Sequence, residues 1–135
     1  MEIGDLRADE IAAAAALWLA CGLTRPWNDA QADARLALAS PSSTILAGRE
    51  AGTLTATVMA GFDGHRAWVY YLAVAPEQQG RRFGREMMAA AEAWLRQHDA
   101  PRLNLMIRGD NIAARRFYEA LGYKASDVTV FQRDL

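Results

Sequence analysis

The chain has 135 residues, 52% of them hydrophobic, with fifteen Lys and Arg against sixteen Asp and Glu. That length and apolar content fit one domain over residues 1–135 with a real core, and exclude disorder throughout. The nearly cancelled charge excludes a general electrostatic grip on nucleic acid or on an acidic membrane.

The opening MEIGDLRADE lacks the basic start and apolar stretch of a signal peptide, and residues 2–7 read as a short first strand. Asp9 is the expected cap of a helix through Cys21, in which Ile11, Ala14, Trp18 and Cys21 recur at helical spacing. The apolar run Ile11 to Leu23 is shorter than the roughly 18 residues of a membrane span, so a cytoplasmic protein without a membrane partner is expected. Cys21 is the only cysteine, which excludes an internal disulfide and reads as a small buried hydrophobe. Arg25-Pro26-Trp27-Asn28-Asp29 breaks the helix, and Asn28 is the expected cap of a second one ending near Ser40-Pro41.

A β region follows. Thr44–Arg49 and Thr53–Phe62 are joined by a turn at Glu50-Ala51-Gly52, and the tight turn Asp63-Gly64 leads into His65–Ala75. Phe83, Met87, Ala91, Trp94 and Leu95 mark a helix face reaching about His98. Arg102–Arg108 reads as a strand, Asp110-Asn111 as the cap of a helix that Gly122 ends, and Lys124–Arg133 as a closing strand. The order β-α-α-β-β-β-α-β-α-β implies an α/β fold of the α+β kind, a mixed sheet covered by helices. The closing strand offers an edge for a homodimer.

Between the third strand of the meander and the helix lies Gln79-Gly80-Arg81-Arg82-Phe83-Gly84-Arg85. A helix N-terminus presents unpaired N–H groups and the positive end of the dipole, which suits phosphate. Two glycines allow close approach, and Arg81, Arg82 and Arg85 add charge. An ordinary solvated basic turn is the plain alternative. A P-loop is excluded because no Gly-Lys-Ser/Thr ends the motif, and a dinucleotide fold because no Gly-x-Gly-x-x-Gly is present.

The stretch from Leu72 to Gly84 resembles the acyl-CoA-binding motif of the GNAT superfamily of N-acetyltransferases, and Asn111 to Tyr123 resembles its second motif. Pro26-Trp27-Asn28-Asp29, Asp63-Gly64-His65-Arg66 and Tyr70-Tyr71-Leu72 further resemble the small bacterial YpeA-type members. The element order agrees, so the resemblance covers nearly the whole chain. One position departs from the pattern: Arg82 stands at the usual middle glycine, where a β-carbon matters if φ must be positive.

The resemblance implies acetyl transfer from acetyl-CoA to an amine, by direct attack in a ternary complex. It assigns acetyl-CoA to the backbone of Leu72, Ala73 and Val74, whose side chains read as core, and to Gln79, Gly80, Arg81, Arg82, Phe83, Gly84 and Arg85. Asn111 reads both as a helix cap and as a ligand-orienting residue. Tyr118 is implied as the acid that protonates the thiolate; its residues alone describe an amphipathic-helix tyrosine. The glutamate that many family members carry on the fourth strand is absent from His65–Ala75, which leaves Asp63, His65, Tyr70 and Tyr71 as candidate bases. Trp27 and Asp29, with Asp63 and His65, are the expected acceptor-binding residues, because a ring face and a carboxylate both favour a cation.

No His/Asp/Glu cluster has ligand spacing, so no metal is expected. The acceptor reads as a small-molecule or peptide amine, with no nucleic acid involved. A non-catalytic acyl-CoA-binding or protein-interaction module on the same fold is the competing reading.

Overall fold

The computed structural model describes all residues, Met1–Leu135. They form two compact units, Met1–Leu105 and Met106–Leu135.

The first unit is built on a five-stranded sheet in the order β1-β2-β3-β4-β5: β1 Glu2–Asp5, β2 Ser43–Glu50, β3 Thr53–Phe62, β4 Ala67–Val74 and β5 Leu103–Asn104. The first four strands run antiparallel, and β5 pairs parallel to β4. The β2–β3 turn takes Ala51 and Gly52 at positive φ, as a two-residue hairpin turn needs. Asp63 closes the β3–β4 turn, its carboxylate accepting the N–H groups of His65 and Arg66, both at 2.8 Å.

Alternation along β2 divides the core. Ile45 and Ala47 join Trp18, Leu17, Ala34 and Ala73 in one cluster under α1 (Ile11–Ala20) and α2 (Ala30–Ala39). On the other face, α3 (Phe83–Gln97) buries Phe83, Met87, Met88, Ala91 and Leu95. Gly48 lies under α3, and a β-carbon there would stand 3.0 Å from the Met87 sulfur. It would also stand 2.6 Å from the Met1 sulfur, so a larger residue would make both flexible methionine side chains shift. Arg49 ties β2 to the segment before α1: its Nε donates to buried Glu10 at 2.8 Å in an ion pair, and its Nη2 to the Asp5 carbonyl of β1 at 2.9 Å.

The second unit holds α4, Ile112–Ala120. Asn111 caps it, accepting the Ala114 N–H at 3.0 Å, and Gly122 leaves it at φ 95°. Phe117, Tyr118 and Tyr123 pack edge to face, with centroids 5.0 and 5.7 Å apart.

Four expectations are corrected. Asp9 does not cap α1; a 3-10 turn at Ala8–Glu10 precedes the helix, and Glu10 accepts the Arg7 N–H instead. The cap of α2 is Asp29, which accepts the Ala32 N–H at 3.0 Å, while Asn28 accepts the Arg25 N–H and closes the turn before it. The strand expected over Arg102–Arg108 pairs only at Leu103–Asn104, against Ala67 and Trp68. Without a ladder to β4 beyond Trp68, the backbone of residues 105–108 gains nothing from strand geometry. The closing strand over Lys124–Arg133 does not form. Its apolar residues bury no face (Phe131 is 92% exposed), and without a ladder its backbone groups gain nothing from extension. The dimer edge expected there is not a strand.

Candidate active site

The kink in β4 is a bulge. Thr57 stands opposite Ala73 and Met59 opposite Tyr70, so Tyr71 and Leu72 together face the single residue Val58. Tyr71 takes φ 51°, a left-handed conformation rare for an aromatic residue. On the far side of β4, pairing with β5 ends at Trp68. The strand segment through Leu72, Ala73 and Val74 therefore has no strand partner along that edge. Ala73 is buried, and Leu72 and Val74 are half-buried. The Val74 carbonyl accepts both the Cys21 thiol, at 3.2 Å, and the Gln79 side-chain amide, at 3.1 Å.

After a 3-10 turn at Pro76–Gln78, the chain reverses through Gly80 at φ 83° and Arg82 at φ 66°. Arg82 thus occupies, with a β-carbon, the left-handed position where the family pattern has glycine. Such strain is of order 1–3 kcal/mol. Arg82 is the residue before α3, and no side chain caps the helix. Glu86 N–H is the first to close onto the helix, at 3.1 Å from the Arg82 carbonyl. The N–H groups of Phe83, Gly84 and Arg85 ahead of it are the free donors of a helix start.

The three arginines differ. Arg81 is committed: it donates to Glu50 at 3.1 Å and to Gln78, and its guanidinium lies 4.8 Å above the Phe83 ring. Arg82 and Arg85 are exposed and form no ion pair. Phe83 itself is core, so what it offers a ligand is its backbone N–H.

Tyr118 is half-buried on α4, and burial pushes its phenol up to about 12. It stays protonated at neutral pH, as a proton donor must. Burial followed by the bond to Asp33 likewise raises Tyr71 to about 12, and burial raises Tyr70. Neither tyrosine suits a base at neutral pH. Asn111 spends its side-chain oxygen on capping α4.

The expected acceptor residues carry local duties. Trp27 is 80% exposed in the α1–α2 loop. Asp29 and Asp63 each commit one oxygen to backbone N–H groups and leave the other uncommitted. The N–H groups of Arg66 and His65 hold the Asp63 carboxyl below the usual carboxylate range. His65 is exposed on the same turn. No group of three or more His, Cys, Asp or Glu side chains comes together, and no helix is long and apolar enough to cross a membrane.

Residues that no site motif announces also converge here. Trp18, Cys21, Asp33 and Thr57 all hold β4 at or near its bulge. Their contacts span up to 53 residues of chain, which no local motif can announce.

A family model described as the acetyltransferase (GNAT) family matches residues 12–123. An acetyltransferase of Sodalis glossinidius is 38% identical over 127 residues, covering 94% of this chain and 89% of the relative. One of Yersinia pseudotuberculosis is 36% identical over 135 residues, covering 100% and 96%. Among solved structures, a putative acetyltransferase from Agrobacterium tumefaciens superposes with a TM-score of 0.84 at 19% identity, covering 99% of this chain and 100% of that one. The aminoglycoside acetyltransferase AAC(6')-Iy, bound to a CoA-containing bisubstrate analogue, gives 0.84 at 14% identity, covering 99% and 97%. At these identities the structural likeness is one of fold.

Proposed function

Because the chain belongs to the acetyltransferase (GNAT) family, and is an acyltransferase accordingly, we propose that it moves an acetyl group from acetyl-CoA to a primary amine by direct attack in a ternary complex. Residues 1–135 then act as one N-acetyltransferase domain, supported by a single family match running from residue 12 to residue 123. The observation that carries the reading is the uncapped start of α3, with Arg82 and Arg85 unpaired beside it.

That start is chemically suited to the pyrophosphate of CoA. Free N–H groups of Phe83, Gly84 and Arg85 would bind phosphate oxygens at the positive end of the helix, and Arg82 and Arg85 would add charge. Arg81, held by Glu50, shapes the loop rather than meeting the ligand. The unpaired edge of β4 at Leu72–Val74 would take the pantetheine arm through backbone hydrogen bonds. When bound, acetyl-CoA supplies the activated acyl group. By the family resemblance, Tyr118 would give its phenolic proton to the departing sulfur as the amine nitrogen bonds to the acyl carbon. The proton lost by the amine passes to Asp63 or His65, directly or through water. Trp27 and Asp29 receive the acceptor, a small-molecule or peptide amine, in a cytoplasmic setting.

Release of free CoA from acetyl-CoA in the presence of a mixed amine panel tests the reaction. We expect release that depends on at least one amine; none above background with any amine class overturns the reading. Calorimetry with CoA and with dephosphorylated pantetheine tests the cradle. CoA should bind much more tightly, and equal affinities would remove the phosphate site.

A further inference from the structure

Three restraints meet on Tyr71, the left-handed residue of the β4 bulge. Its carbonyl accepts the Thr57 hydroxyl at 2.9 Å, and Thr57 in turn accepts the indole N–H of fully buried Trp18 at 2.8 Å. Its ring lies on the Trp18 ring, with centroids 3.9 Å apart and planes 8° from parallel. Its hydroxyl donates to Asp33 of α2 at 2.9 Å.

The first two restraints are core packing. The third differs in kind. Asp33 is exposed, and a solvent-facing hydrogen bond adds little to global stability. Its effect is local: a stacked pair leaves rotation and sliding in the ring plane open, and a tether at the hydroxyl removes them. That ring is attached to the residue that turns β4 toward Leu72, Ala73 and Val74. The β3 ladder skips a residue there, and no strand lies on the other edge, so few other contacts set the direction of this segment.

We propose that Asp33 is a positioning residue for acyl-CoA: by accepting the Tyr71 hydroxyl it fixes the β4 bulge, and with it the backbone of Leu72–Val74 that takes the pantetheine arm. The inference rests on the acyl-CoA reading of that edge. In this role Asp33 acts through Tyr71, by the one hydrogen bond to its hydroxyl. Its carboxylate charge is not what matters, only an oxygen that accepts.

Three variants separate this role from others, with CoA as the calorimetric probe. Tyr71→Phe keeps the stack and removes the hydroxyl. Asp33→Ala removes the acceptor, and Asp33→Asn keeps one. We expect Tyr71→Phe and Asp33→Ala each to weaken CoA binding by about fivefold, the worth of one hydrogen bond. Amide hydrogen exchange at Leu72–Val74 should rise in both, with Tm and the Michaelis constant for the amine unchanged. Asp33→Asn should return CoA affinity to within twofold of wild type. The inference is overturned if all three variants bind CoA like wild type. It is equally overturned if Asp33→Asn behaves as Asp33→Ala and the amine constant is what rises, because the charge would then be meeting the acceptor. Wild type that fails to bind CoA at all brings down the acyl-CoA reading itself, and this inference with it.

Discussion

Met1–Leu105 and Met106–Leu135 each carry one of the two motifs, and they hold them by different means. In the first unit the motif is backbone. The β4 bulge, the Gly80 reversal and the Arg82 turn are positions of positive φ or interrupted pairing, and the bulge rests on fully buried Trp18 and Thr57. In the second unit the motif is a side chain. No residue of Met106–Leu135 is buried, and α4 is held by the Asn111 cap, an exposed Arg115–Glu119 pair and three aromatic rings. A backbone site needs a rigid core, because strain persists only where surroundings over-determine it. A side-chain site needs only a helix to present it. Mutations should therefore separate stability from chemistry along the same boundary.

The largest effect is expected from Tyr118→Phe. Loss of a general acid slows turnover by ~100- to 10,000-fold, while the ring stays and CoA affinity and Tm should hardly move. Unchanged turnover, with chemistry shown to be rate-limiting, would give the proton to another group. A large drop in Tm would break the comparison from the other side, by making Tyr118 structural.

Glu10→Gln is the converse test in the first unit. Leaving Arg49 half-paired in a buried setting destabilises by roughly 3 kcal/mol, with no change in kcat for the folded fraction. The pH dependence follows from the same pair. Hydrogen bonding from Arg49 lowers the Glu10 carboxyl to about 2 from 4.5. A depressed acid stabilises above its unfolded pKa, so this contribution is complete above 4.5 and is lost as pH falls toward 2. Wild-type Tm should drop across that window, and Glu10→Gln should drop less. Parallel curves would mean the pair adds nothing.

Asp29 lies between the two extremes, since it caps α2 and is proposed to meet the amine. Asp29→Asn keeps a capping oxygen and should hold Tm, yet raise the Michaelis constant for a cationic acceptor by about tenfold through a lost charge-assisted bond. Asp29→Ala should add a stability loss of about 1 kcal/mol. An Asn variant with an unaltered amine constant would leave Asp29 a cap alone.

The smallest effect concerns Arg82. With φ 66°, Arg82→Gly should be about 1 kcal/mol more stable than Arg82→Ala, the reverse of the order in a regular helix. Urea titrations of the two variants read this difference directly. Equal midpoints would show that the turn is not held left-handed.

Local chemistry was legible in the sequence where cause and effect are neighbours. The meander, its Asp63-Gly64 turn, the α3 face of Phe83, Met87 and Leu95, the Asn111 cap and both family motifs all follow from residues within a few positions of each other. Periodicity and turn chemistry act over one or two turns of chain, so one sequence suffices to read them. Long-range pairing decided the rest. Arg102–Arg108 and Lys124–Arg133 alternate like strands, but a strand exists only with a ladder partner, and pairing beside β4 stops at Trp68. Glu50 pairing with Arg81, Cys21 donating to the Val74 carbonyl, and Asp33 holding Tyr71 depend on side chains that meet only once the sheet is assembled. The left-handed φ of Tyr71 belongs with them: no local preference favours it for tyrosine, and it is held by Trp18, Thr57 and Asp33, residues 53, 14 and 38 positions away.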